Sequence, residues 1–386
     1  MIIWLQLTLQ ATASWRLNGG PFRTSVENFG ESSAVAMTNL FAAAGDVAGV
    51  GQVKIFFLDK NNNTWTEFMS IYGTQEGSLF GTSTDWDAAH NSFAVGAPKQ
   101  FANGTATPSG AVRYYRLNKK GKAFRQLGVD ILGDASIDSI GEDFGQSVAV
   151  SSNYRLVAGA PRSNYASLTG RGRIYTFQYQ SNTKKWIPMQ SFPITGEVAG
   201  DQLGTAVDMS LDGTVVIAGA IGRGNGTGVV MIYFWNGSQW LIADRKQYLA
   251  TAELFGSSVK VLSPDGSLVA AGGPGFNNSA GVVRLFQRDT SKAYNLVAQI
   301  FGEPGDSLGR AGSLDGFVTS NATVIVASTG LGSVKHYEFS TVSFQLIGSS
   351  VLTQIQSSPF LTVGGSPTGN GIVVGANQTI FMYSPR

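Results

Sequence analysis

Apolar and polar positions along this chain alternate in short runs separated by glycine-rich corners, and no stretch keeps the period of an amphipathic helix. The clearest unit reads F-G-Q-S-V-A-V over 144–150, L-V-A-G-A-P over 156–161, G-R-I-Y-T-F-Q-Y over 172–179 and W-I-P-M-Q-S-F over 186–192. The first run alternates small and apolar residues, which suits a crowded inner strand. The second is almost continuously apolar, as in T-V-V-I-A-G-A over 214–220, and predicts a strand covered on both faces. The third and fourth are aromatic-rich strands. The unit is therefore four strands, here called a to d from the inside outward.

An aromatic or Leu followed by Gly opens each copy: Phe29-Gly30, Phe80-Gly81, Phe144-Gly145, Leu203-Gly204, Phe255-Gly256 and Leu308-Gly309, with a degenerate copy at Phe360. The spacings are 51, 64, 59, 52, 53 and 52 residues, the length of one four-stranded antiparallel blade. Trp65, Phe124, Trp186, Trp240, Tyr294 and Phe344 mark the start of each strand d. Trp15 stands 14 residues before Phe29, like a strand d without a blade, while the last copy ends after strand c. These patterns predict an all-β, seven-bladed β-propeller of four-stranded antiparallel blades. The N-terminal strand, within 14–28, joins the last blade and closes the ring, which removes exposed sheet edges. One domain over 14–386 is expected, with blades starting near 29, 80, 144, 203, 255, 308 and 360. The 49 glycines fit a fold made of many tight turns.

The pairing of F-G with a later G-A-P resembles the FG-GAP repeats of integrin α-subunit-type propellers. The resemblance spans about residues 29 to 385. It is carried by Phe144-Gly145 with Gly159-Ala160-Pro161, Phe80-Gly81 with Gly96-Ala97-Pro98, and Phe255-Gly256 with Gly272-Gly273-Pro274. Other copies drift, to Gly219-Ala220-Ile221 and Ala327-Ser328-Thr329. The resemblance implies extracellular adhesion or ligand recognition, without naming the ligand. Integrin-type repeats commonly carry a carboxylate-rich Ca²⁺ loop between strands a and b. Here those loops are S-S-N-Y-R, S-L-D-G-T, S-P-D-G-S and T-S-N-A-T, with at most one carboxylate each (Asp212, Asp265), too few for calcium. Only D-W-D-A-A-H-N, with Asp85, Asp87 and Asn91, offers a weak metal candidate. No cofactor is expected.

Chemistry for catalysis is sparse. There is no cysteine, and the two histidines, His90 and His336, have no partner motif nearby. No phosphate-binding G-x-x-x-x-G-K-[ST] loop occurs. A net charge of +2 with 13% charged residues excludes a broad nucleic-acid footprint. Lys119, Lys120, Lys122, Lys184 and Lys185 belong to c-to-d hairpin tips. Acidic residues recur just before the opening dipeptide (Glu142 and Asp143, Asp201, Glu253, Asp306); a turn carboxylate accepting backbone N–H groups is favoured over a cation-recruiting ring.

Residues 1–13 resemble a short secretory signal ending in Ala11-Thr12-Ala13, and no run is long enough to span a membrane. Seven N-x-[ST] sequons, at Asn62, Asn103, Asn225, Asn236, Asn277, Asn321 and Asn377, agree with a secreted or cell-surface glycoprotein. The b-to-c loops, long in blades 2 to 5, share one face with the d-to-a loops. Phe101, Arg162, Tyr165, Arg171 and Arg223 are the candidate ligand contacts there. The sequence thus points to a non-catalytic module binding a protein or glycan through that face. The alternatives are a polysaccharide hydrolase or lyase, and a structural matrix component.

Overall fold

A computed structural model describes residues 15–17, 22–23, 35–37, 41–59, 61, 64–87, 89–102, 107–134, 141–164, 167–248, 252–320, 322–354, 361–365, 372–376 and 379–385. The chain is all-β, with antiparallel, mainly four-stranded sheets in a propeller arrangement. Six blades are each built from one continuous stretch. Blade 1 comprises Val35–Met37, Phe41–Asp46, Gln52–Asp59 and Thr64–Tyr72. Blade 2 has Ser83–Asp87, Ser92–Ala97 and Ala111–Leu117 as strands a to c, and blade 3 has Ser147–Val150, Arg155–Ala160 and Arg173–Gln180. Blade 4 is Leu203–Met209, Val215–Ala220, Val229–Trp235 and Trp240–Lys246. Blade 5 is Ser258–Val261, Leu268–Gly273, Val282–Arg288 and Tyr294–Phe301. Blade 6 is Leu314–Val318, Ala322–Ser328, Ser333–Ser340 and Leu346–Gln354.

A further sheet takes strands from both ends of the chain: Leu361–Gly365, Ile372–Ala376 and Thr379–Pro385 are joined by Trp15–Leu17 and Phe22–Arg23. Trp15 lies opposite Pro385, and Phe22 opposite Ile380. The structure thus has six blades of continuous chain; the count of seven expected from the repeats is reached only by adding this composite sheet. The leader-like residues 1–13 lie outside the described residues.

Strand d of blades 2 and 3 is broken, where the repeat predicts a single strand. In blade 2 it comprises Phe124–Gln126 and Ile131–Leu132, and in blade 3 Lys185–Pro188 and Ile194–Thr195. The breaks have local causes. Gly128 takes a φ of +82° in the first gap, and Pro188 and Pro193, which have no N–H to donate, flank the second. Two tight turns, Arg223–Gly226 and Phe276–Ser279, shape the b-to-c loops of blades 4 and 5, with Gly224, Asn225, Asn277 and Asn278 in left-handed conformation.

The glycines of the repeat have a steric reason. The Gly of each G-A-P-like corner lies against the opening Gly of the following blade. A Cβ on Gly96, Gly159, Gly219 or Gly272 would overlap the carbonyl oxygen of Gly145, Gly204, Gly256 or Gly309 respectively. The opener's aromatic is the complementary element: Phe80, Phe144 and Phe255 are fully buried, each contributing about 2–3 kcal/mol of apolar transfer. Strands b of blades 2, 4, 5 and 6 are buried along their whole length, as their unbroken apolar runs require.

Hydrophobic cores lie between successive sheets rather than within one. Val53, Ile55, Trp86 and Phe93 pack blade 1 on blade 2, and Phe317, Val326, Val363 and Ile372 pack blade 6 on the composite sheet. Indoles at strand d stitch blades 3 and 4 each to the one before. The Trp186 indole donates to the Leu127 carbonyl at 2.9 Å, and that of Trp240 to the Thr176 hydroxyl at 3.0 Å.

Candidate functional site

The d-to-a and b-to-c loops share a face because each strand reverses direction. Within a blade the two are tied backbone to backbone. The N–H groups of Lys99, Arg162, Gly222 and Gly275 donate to the carbonyls of Ser78, Glu142, Asp201 and Glu253, two residues before the opener. The next residue, directly before the opener, is left-handed in five blades although never glycine: Leu79, Asp143, Gln202, Leu254 and Ser307 have φ between 49° and 58°. Repetition of this strained conformation fixes the loop path.

Glu142, Asp201 and Asp306 are turn acceptors with a further partner in their own blade, and Glu253 has the partner alone. Glu142 accepts from the Asp134 N–H, the Ser163 hydroxyl and the Tyr175 hydroxyl, the last at 2.7 Å. Burial nevertheless holds its pKa above the ordinary value, against those hydrogen bonds. Asp201 accepts from the Glu197 and Val198 N–H groups and pairs with Arg223. Asp306 accepts from the Glu303 N–H and pairs with Lys335 at 2.6 Å. Glu253, fully buried, pairs with Arg284, whose guanidinium lies 3.8 Å from the centre of the Tyr248 ring. Tyr175, Arg284 and Lys335 hold the same third position of strand c, so a second repeat complements the acidic one. The partners differ in side-chain type, so no motif announces them in the sequence.

The sequence-predicted contacts divide. Arg162 is 61% exposed and lies 3.2 Å from Asp143, which also binds Lys99. Phe101 is half-buried, with its N–H held by Gln75 at 2.8 Å. Arg171 donates to the Gly196 carbonyl at 2.6 Å. Arg223 is committed to Glu197 and Asp201 at 2.8 Å each. These two arginines therefore act first as loop braces. Tyr165 lies outside the described residues, as do the sequons Asn62, Asn103, Asn321 and Asn377. Asn225, Asn236 and Asn277 are exposed, Asn225 and Asn277 in the left-handed turns of the b-to-c loops of blades 4 and 5.

Asp85, Asp87 and Asn91 do not converge. Asp85 accepts the Val150 N–H of blade 3 at 2.7 Å, whereas Asp87 binds His90 at 2.6 Å and the Ala89 N–H. Asn91 sits in the a-to-b turn with φ of 45°. Among the described residues no group of three His, Asp or Glu is arranged for a metal.

Exposed large apolar side chains stand on the loop-bearing face and also beside the opposite turns. Val50 and Leu331 stand in b-to-c loops, Tyr72, Leu132 and Phe301 at the adjoining ends of strand d, and Val198 and Leu254 in d-to-a loops. On the opposite face Val342 stands in a c-to-d turn, Leu346 and Ile347 begin strand d of blade 6, and Leu241 and Ile242 follow the start of strand d of blade 4. Lys119, Lys120, Lys122, Lys184 and Lys185 are exposed in the turns there. Val129 and Phe192 lie in the interruptions of strand d, and Leu296 within the outer strand of blade 5.

A second polar group sits on the axis, where the reading of strand a as small and apolar did not anticipate it. Asp85, Asp208, Lys260 and Asp315 occupy equivalent places in strands a of blades 2, 4, 5 and 6, opposite Ala94, Ile217, Ala270 and Val326 of their strands b. Lys260 Nζ lies 3.6 Å from Asp208 and 3.2 Å from Asp315. The signal was a charged residue five places after the opener in blades 2, 4 and 5.

No helix among the described residues is long and apolar enough to cross a membrane. No protein-family model matches the chain, and no curated protein matches it significantly.

Proposed function

We propose that this chain is a non-catalytic recognition module, secreted or displayed at a cell surface, that binds a protein or glycan through the face bearing the b-to-c and d-to-a loops. In this reading the composite sheet acts as a seventh, closing blade and the repeats are of FG-GAP type. The reading is carried by the exposed apolar residues that stand among loops braced backbone to backbone. Tyr72, Leu254, Phe301 and Leu331 project where loops are braced to one another, while the opposite turns project lysines. Apolar groups exposed on a rigid loop scaffold, with Arg162 among them, have the composition of a binding surface. Bracing also lowers the ordering cost of binding.

The test compares a face variant, Arg162→Glu with Phe301→Ser and Leu331→Ser, against the opposite-face control Val342→Ser. Capture is measured on a glycan array and on intact cell surfaces. Loss of at least ten-fold in the face variant alone is expected. Equal capture by both variants would overturn the assignment, and turnover of polysaccharide in the same samples would replace it with a hydrolase or lyase.

A further inference from the structure

The axial group differs from every other charged cluster in the described chain because its members come from four blades. Asp208 of blade 4 accepts the Val261 N–H of blade 5 at 2.6 Å, and Asp85 of blade 2 accepts the Val150 N–H of blade 3. Strand a is the innermost strand, so its inward N–H groups have no further strand to pair with, and these carboxylates serve them. Lys260 stands at the equivalent place in blade 5 and carries no acceptor; it projects instead between the carboxylates of blades 4 and 6. Its side chain is 23% exposed, against 9% for Asp208 and 12% for Asp315. The group is thus enclosed by strands yet in touch with solvent along the axis. Burial opposes the charge on Lys260, but Asp208, Asp315 and Asp85 outweigh it and hold the ammonium protonated.

The geometry points to an axial cation site whose occupant is the chain's own Lys260 ammonium, which locks blades 4, 5 and 6 together through Asp208 and Asp315. Three carboxylates facing inward without a cation would repel one another and open the ring. One ammonium supplied by a strand of the same ring offsets that repulsion without any bound ion. A primary ammonium suits the place because it is compact and offers three donors, whereas a guanidinium is planar and wider. The lock also sets the spacing of strands a, and through them the loops that follow strand b.

A double-mutant cycle on the full chain tests this, with thermal unfolding as the readout. Lys260→Met is expected to lower the melting temperature by roughly 5 °C or more, because it strands carboxylates in an enclosed site. Adding Asp208→Asn and Asp315→Asn to Lys260→Met is expected to recover part of that loss, so the combined change is smaller than the sum. Hydrogen exchange should quicken in strands a of blades 4 to 6 of Lys260→Met before it does in blade 1. Additive changes, or exchange that quickens uniformly, would overturn the lock. Should Lys260→Met not fold, the same cycle with Lys260→Gln, which keeps a polar end of similar length, reads the same coupling.

Discussion

At the loop-bearing face, Glu142, Asp201, Glu253 and Asp306 find their partners inside their own blade. On the axis, Asp85, Asp208 and Asp315 find theirs across blade boundaries. The first arrangement repeats with the structural unit and is independent of closure: each carboxylate receives turn N–H groups or a strand-c partner a few tens of residues away. The second exists only when strands separated by whole blades are brought round a common centre. The difference separates two tasks. Carboxylates of the face shape loops, and those of the axis hold the ring that carries them.

The comparison breaks most sharply at Glu253. Glu253→Ala leaves the Arg284 guanidinium buried without its carboxylate and is expected to cost about 3–5 kcal/mol, read from urea denaturation. A loss under about 1 kcal/mol would show that the Tyr248 and Gln299 contacts suffice for Arg284.

The axis is next, and there the expected signature is a pH dependence. Burial raises the Asp85 pKa from 3.8 to about 7, with Lys260 opposing and Asp208 adding to the rise. The folded state therefore binds this proton more readily than the unfolded chain. The contribution to stability is full at acid pH and is lost as pH rises from about 4 to about 7. Asp85→Asn keeps an acceptor for the Val150 N–H and removes the titration. Its urea midpoint should exceed that of the wild type at pH 8 more than at pH 5. Parallel profiles would show that Asp85 is ionised at little cost.

The smallest effect is expected from the strained turn. Gln202 is exposed with φ of 57°, and Gln202→Gly should stabilise by up to about 1 kcal/mol without changing capture by the face. A loss of stability, seen as a lower urea midpoint, would mean that the Gln202 side chain itself holds the loop.

Much of the architecture was legible because the repeat is a steric necessity. Only glycine fits both sides of the contact between Gly159 and Gly204, and a buried ring such as Phe144 must fill the space beside it. The apolar run over 214–220 likewise announces a strand covered on both faces. The candidate site was legible in part. Strand alternation put the b-to-c and d-to-a loops on one face, and there Arg171 and Arg223 are engaged by Gly196 and by Asp201 with Glu197. Exposure of Phe301, Tyr72 and Leu331 was invisible, since an apolar residue at a strand end reads the same whether its neighbour covers it or not.

The sequence by itself determined that this chain is a string of four-stranded units. Each unit's strand order, corners and aromatic stitches follow from local pattern and from side-chain volume. Only the tertiary structure decided which charges meet. Lys260, Asp208 and Asp315 are more than fifty residues apart in succession, and nothing in local propensity couples them. Long-range electrostatic partnership depends on distance in space, and that distance is set by the arrangement of whole blades around the axis rather than by any segment within one.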